Sequence, residues 1–163
     1  MPLDPRSVRG CGTIGGVPAA PSPEPIETCP GCGAVLAPVA DGGAIHPGAS
    51  ASCARLFEDT IRGLREEAAT DAATAAVLQQ ADDAYDAQHA TPADPARLRT
   101  SLERLDASLG RTAMVGDAPV PQVWRTTIAD VAADLDVIDL PVLVESWARS
   151  VHDDWTATVV ARP

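Results

Sequence analysis

Three of the four cysteines and one of the three histidines fall between Thr28 and Cys53, in Thr28-Cys29-Pro30-Gly31-Cys32-Gly33 and then His46-Pro47-Gly48-Ala49-Ser50-Ala51-Ser52-Cys53. Two thiolates separated by a Pro-Gly pair converge on one point when the chain makes a tight turn, and the free backbone N–H groups of that turn can face the sulfurs. Gly33 allows the positive φ such a turn tends to need. Cys53 adds a third thiolate after 20 intervening residues. Cys29, Cys32, His46 and Cys53 therefore make a Cys3His set with the donor types of a closed tetrahedral zinc site, and one Zn2+ per chain is the expected cofactor.

The fourth position has two candidates. His46 lies in the loop Asp41-Gly42-Gly43-Ala44-Ile45-His46-Pro47-Gly48 and is the expected ligand; an exposed histidine without a role is the bland alternative there. His89 is the rival: two antiparallel helices of similar length after Cys53 would bring the chain back to the level of that cysteine. Two other readings compete with metal binding. A redox Cys-x-x-Cys normally opens a helix, whose N-terminus lowers the thiol pKa, whereas Ala34-Val35-Leu36-Ala37-Pro38 is too short and ends in proline. Unrelated buried cysteines are common singly, less so as a knuckle with a third thiol in range.

The elements that must position these residues read as helices. Ser50 or Ser52 caps a first helix with Phe57, Ile61, Leu64 and Ala68 on one stripe. Glu58 and Asp59 are expected to favour its first turns, with Arg62 and Arg65 pairing behind them. Asp71 caps a second helix, Ala72 to His89, with Ala73, Val77, Ala81, Ala84, Tyr85 and Gln88 inward and Asp82, Asp83 and Asp86 read as solvated surface. Asp94-Pro95 opens a third, which runs through Leu98, Leu102, Leu105 and Leu109 to a stop at Gly110. Thr126 or Thr127 caps a short fourth through Ile128, Val131 and Leu135. Asp139 caps a fifth, with Leu140, Val144, Trp147, Val151 and Trp155 on its buried face and His152 beside it in partly exposed packing. The expected fold class is all-α, about five helices around one core. Residues 1–27, rich in proline and glycine, read as a disordered tail with Cys11 a free thiol, and residues 28–163 as one helical domain with the knuckle, 28–53, at its start.

Composition removes several function classes. A net charge of −11 offers no electrostatic footprint for nucleic acid or an anionic membrane. All 12 basic residues are arginine, so no lysine is available for Schiff-base or general-base chemistry. No apolar run is long enough to span a bilayer, and no apolar segment follows Arg6 and Arg9 to make a leader. The expected compartment is the cytoplasm, where thiols serve as ligands or reactive groups before they serve as disulfides. Phosphate-binding glycine loops, nucleophile elbows and H-E-x-x-H do not occur in the chain.

Cys29-Pro30-Gly31-Cys32-Gly33-Ala34, His46-Pro47 with Gly48-Ala49-Ser50 ahead of Cys53, and Asp83-Ala84-Tyr85 with Gln88-His89 resemble bacterial domain-of-unknown-function family 5946. The resemblance covers Cys29 to Leu109, with an echo around Trp147-Ala148-Arg149-Ser150-Val151 and Trp155. It implies a metal site and a helical fold, and no particular reaction. Relative to the family pattern, an aromatic is missing between His46-Pro47 and Gly48, Ala54 stands where an aromatic is usual, and Arg104 stands near the place of a third-helix histidine. An activity that needs that histidine would be lost here. Two functions follow: a zinc-stabilised module that binds another protein, or a zinc- or thiol-dependent enzyme acting on a small molecule with His89, Tyr85 or Asp86 as the proton-transfer group.

Overall fold

The computed structural model describes residues 25–40, 46–111 and 119–160. Among the described residues the fold is all-α apart from one small hairpin. Strands β1 (Glu27–Thr28) and β2 (Val35–Leu36) pair antiparallel, Glu27 opposite Leu36 and Thr28 opposite Val35. Five helices follow: α1 (Ala51–Glu67), α2 (Ala72–Gln88), α3 (Pro95–Ser108), α4 (Ile128–Ala133) and α5 (Leu140–Val160).

The starts of α1 to α4 have local causes. Ser50 Oγ accepts from the Cys53 N–H, Asp71 from Thr74 and Asp94 from Arg97 with Pro95 just inside, so an orphan amide of each first turn is satisfied. Thr127 and Asp130 make a reciprocal capping box on α4. Gly110 ends α3 with φ 64°, the left-handed conformation that only glycine adopts cheaply. Glu58 and Asp59 do not support the first turn of α1, because the helix begins at Ala51 and they fall beyond that turn; Asp59 pairs with Arg55 and Arg62, and Glu58 with Arg65.

Helix α2 is the centre of the bundle, packed against α1, α3 and α5, while α4 sits on α1 and α5. Its first two turns are exposed or half-buried and its last two are buried on nearly every side. Asp83 is therefore 3 % exposed, unlike the solvated residue the sequence suggests, because α3 covers that face of α2. Two tryptophans tie this centre down through their indole N–H groups, Trp147 donating to Gln88 Oε1 (3.0 Å) and Trp155 to the Ala87 carbonyl (3.3 Å), while Trp124 donates to the Gly31 carbonyl (2.9 Å) in the turn between β1 and β2. Gln88, fully buried, also donates to the Thr126 carbonyl at 2.7 Å, so both ends of its amide are used. His152, expected to be partly exposed, is buried, and its Nε2 stands 2.7 Å from Asp106 Oδ1, joining α5 to α3.

The tail expected over residues 1–27 lies outside the described residues up to Glu24, as do Cys11 and the loop 41–45. Glu27 belongs to β1, and its Oε2 accepts from the Ser52 N–H at 3.1 Å. Among the described residues no helix is long and apolar enough to cross a membrane.

Candidate metal centre

Four ligand atoms come together where the hairpin, the start of α1 and the end of α2 meet. Cys29, Cys32, Cys53 and His89 each offer one atom, and those atoms all lie within 4.8 Å of one another. Cys29 and Cys32 stand on the turn that joins β1 to β2. The Cys29 N–H donates to the Ala34 carbonyl (2.8 Å) and the Gly33 N–H to the Cys29 carbonyl (3.0 Å), with Gly33 at φ 76° as the knuckle requires. Cys53 enters in the first turn of α1, where the Ser50 cap holds its amide. Its sulfur is 3.7 Å from Cys32 Sγ and 3.4 Å from His89 Nε2.

His89 closes α2 and is completely buried. Its Nδ1 lies 2.7 Å from the Tyr85 carbonyl, an acceptor, so Nδ1 carries the proton. Nε2 then faces the sulfurs, the orientation that a metal-ligating histidine needs, and its own proton would leave on metal binding. The three cysteines are free thiols, none exposed by more than 4 %. The Ser50 N–H reaches Cys29 Sγ at 3.4 Å and the Tyr85 hydroxyl lies 3.9 Å from Cys53 Sγ, both pointing at sulfur charge.

Such a cluster cannot ionise fully by itself. Hydrogen bonds from Cys32 and Cys53 hold the Cys29 thiol far below its usual value, while Cys29, Cys32 and burial drive the Cys53 thiol far above it. Burial opposes a charge on His89, but the Cys29 and Cys32 sulfurs outweigh it and raise its pKa to about 9. Three thiolates in one buried volume would repel one another, so full ionisation here needs a cation among them, whose binding would release the protons.

The structure brings His89, and not His46, to the three sulfurs. The helical return decides this: α1 and α2 are 17 residues each, so the end of α2 comes back to the level of Cys53. His46 stays one layer out, its ring centroid 5.6 Å from that of His89. Its Nδ1 accepts the Gly48 N–H at 3.2 Å, and its Nε2 is 3.3 Å from Asp86 Oδ1.

Two glycines that sequence reasoning passed over make this approach possible. A Cβ on Gly48 would sit 2.1 Å from the His89 carbonyl oxygen, and one on Gly31 would sit 2.5 Å from the Gly48 carbonyl oxygen and 2.6 Å from His89 Cδ2. The knuckle, the His46 loop and the end of α2 touch backbone to backbone. The available signal was their place in Cys-Pro-Gly-Cys and His-Pro-Gly, between residues already marked as ligands.

Beside the centre, a cleft of about 390 Å³ opens between α1, α2 and α3, with His46, Ala54, Phe57, Asp83, Tyr85, Asp86 and Arg104 among its walls. Tyr85 stacks on Phe57, ring centroids 4.0 Å apart. Asp83 is raised to about 6, chiefly by burial, against the pull of Gln79 and Arg104. Asp86 is lowered: burial opposes this, and hydrogen bonds to His46 and Arg97 prevail.

No curated protein and no solved structure matches the chain. The model of a family described as a family of unknown function, DUF5946, matches residues 27–115, from β1 through the metal centre and α3. The match includes all four clustered residues and spans more than half of the chain, which therefore belongs to the DUF5946 family.

Proposed function

We propose that Cys29, Cys32, Cys53 and His89 hold a structural Zn2+, and that the chain is a zinc-stapled helical module that works by binding rather than by chemistry at the metal. The observation that carries this is closure: four protein donors from three separate segments converge, all buried, and a structural zinc fills all four positions with protein whereas a catalytic one keeps a position for water or substrate. Zinc is the ion favoured by three thiolates and one imidazole in a tetrahedral set. The staple fastens a hairpin that has only two residues per strand to the helical bundle, a contact too small to be stable without it. Metal or thiol catalysis with His89, Tyr85 or Asp86 fits less well. Nε2 of His89 is turned to the sulfurs, and the Tyr85 hydroxyl lies against Cys53, where it stabilises thiolate charge rather than facing a substrate.

The test is metal content and stability measured together. Protein purified without chelator should carry about one zinc per chain, and Cys29→Ser or Cys53→Ser should lose both the metal and several degrees of melting temperature, since affinity for a site absent from the unfolded chain is folding free energy. Metal-free protein that melts where the metal-loaded protein does would overturn the proposal.

A further inference from the structure

Between Arg125 and Arg149 the chain carries five acids and no base. This stretch holds α4, the turn after it and the start of α5. Half of the large hydrophobic residues exposed among the described residues fall within it: Leu135, Val137, Ile138 and Val142. Every residue from Ala133 to Asp139 is exposed, yet the turn is not a fraying end. The Val137 and Ile138 N–H groups both donate to the Asp134 carbonyl at 3.0 Å, and the Val142 and Leu143 N–H groups donate to that of Asp139 at 3.0 and 3.2 Å. A fixed backbone therefore holds Val137 outward, 82 % exposed. One exposed valine needs no explanation, but four aliphatic residues within eight positions of one turn leave apolar surface gathered in water.

The acids of this turn differ from those on the helices. Glu58, Asp59 and Asp86 each hold an arginine, and so do Asp153 and Asp154 on α5. Asp134, Asp136 and Asp139 have no cationic partner among the described residues, because the bases at either end of the stretch are taken: Arg125 by Asp154 and Arg149 by Glu145. Two hollows flank the start of α5. One, of about 240 Å³, lies between α4 and α5, with Val131, Leu143 and Asp134 in its walls. The other, of about 380 Å³, lies where α5 meets α2 and the end of α3, with Val77, Val142 and Glu145. Each sets apolar side chains beside a carboxylate.

We propose that the surface from Asp134 to Val142 docks a basic amphipathic helix of another protein, its aliphatic stripe on Leu135, Val137, Ile138 and Val142 and its flanking lysines or arginines on Asp134, Asp136 and Asp139. Charge complementarity selects this occupant. A second copy of the chain fits less well, since a symmetric contact through this turn sets the same unpaired aspartates against each other. The proposal rests on the reading of the chain as a binding module and names the kind of partner it takes.

The probe is a helical peptide of about four turns built from leucine and lysine with all leucines on one face, titrated by fluorescence anisotropy into the zinc-loaded full chain. Its control has the same composition with the leucines scattered around the helix. Saturable binding of the first is expected, at least about tenfold tighter than of the second, as burial of one aliphatic side chain allows. Val137→Ser and Val142→Ser alter exposed residues and should fold, and each should weaken the amphipathic peptide by roughly three- to tenfold. Asp136→Arg should weaken it to a similar degree and flatten its dependence on salt, whereas the same change at exposed Glu103 on α3 should cost less than about twofold. Equal binding of the two peptides, or wild-type affinity in both valine variants, would overturn the proposal. So would a wild-type dimer in sedimentation that Val137→Ser dissolves, which would give the face to a second copy. Zinc content and melting temperature of every sample keep the two readings apart: folded, zinc-loaded wild type that ignores the peptide sinks the docking surface alone, and wild type without metal counts against the staple.

Discussion

Gly48→Ala is the sharpest perturbation of the metal centre that leaves every ligand in place. The added Cβ would lie 2.1 Å from the His89 carbonyl oxygen and 2.8 Å from its carbonyl carbon, where ordinary contacts begin near 3.4 Å. Both partners are backbone, so no side chain can swing aside, and the loop and the end of α2 must separate by roughly 1 Å. Metal–ligand distances tolerate only about 0.2 Å, so a shift of that size in the residue carrying Nε2 breaks the coordination. The expected loss is about 10–100-fold in zinc affinity, the range seen when a residue that orients a ligand is disturbed, together with about 1–3 kcal/mol of overpacking strain. Gly33→Ala is the control: with φ 76° but nothing within 4 Å of its Cβ, it should cost about 1–2 kcal/mol of backbone strain without touching affinity. Competition against a chromogenic chelator, with melts of the same samples, reads both quantities. Gly48→Ala that holds zinc like the wild type would refute the backbone approach described here.

Other outcomes follow from single contacts. Trp124→Phe keeps the apolar ring but removes the N–H bond to the Gly31 carbonyl, and should lower stability by about 1 kcal/mol in urea melts. Gly63→Ala, inside α1 with open space around its Cβ, should raise stability by about 0.5–1 kcal/mol in the same assay. Asp83→Asn should raise the melting temperature at pH 7.5 and lose that gain by about pH 4. The folded pKa, about 6, lies above the ordinary aspartate value of 3.8. Ionising Asp83 therefore withdraws stability as pH rises through this window, and the amide escapes that loss; a gain independent of pH would contradict the burial described for the carboxylate.

Much of the fold was legible because its signals are local. The caps Ser50, Asp71, Asp94 with Pro95, and Thr127 stand next to the helices they open, and the Phe57-Ile61-Leu64 and Val144-Trp147-Val151-Trp155 stripes repeat at helical spacing. The three cysteines were legible for the same reason. The hairpin was not, since two residues per strand leave no alternation to read. Which histidine joins the three cysteines depended on a tertiary fact: His46 is nearer in sequence, but His89 is nearer in space because two equal helices double back. Asp83 was misread through the same gap, for a carboxylate on α2 looks solvated until α3 covers it. Gly31 and Gly48 act through contacts between segments that no local pattern encodes.

X-ray absorption at the zinc edge tests the coordination most directly, on wild type beside His46→Ala and His89→Ala. The arrangement of Cys29, Cys32, Cys53 and His89 predicts three sulfurs at about 2.3 Å and one nitrogen at about 2.0–2.1 Å, unchanged in His46→Ala and stripped of that nitrogen in His89→Ala. A water-derived oxygen in the wild-type shell, or a nitrogen that disappears with His46 and survives without His89, would contradict it.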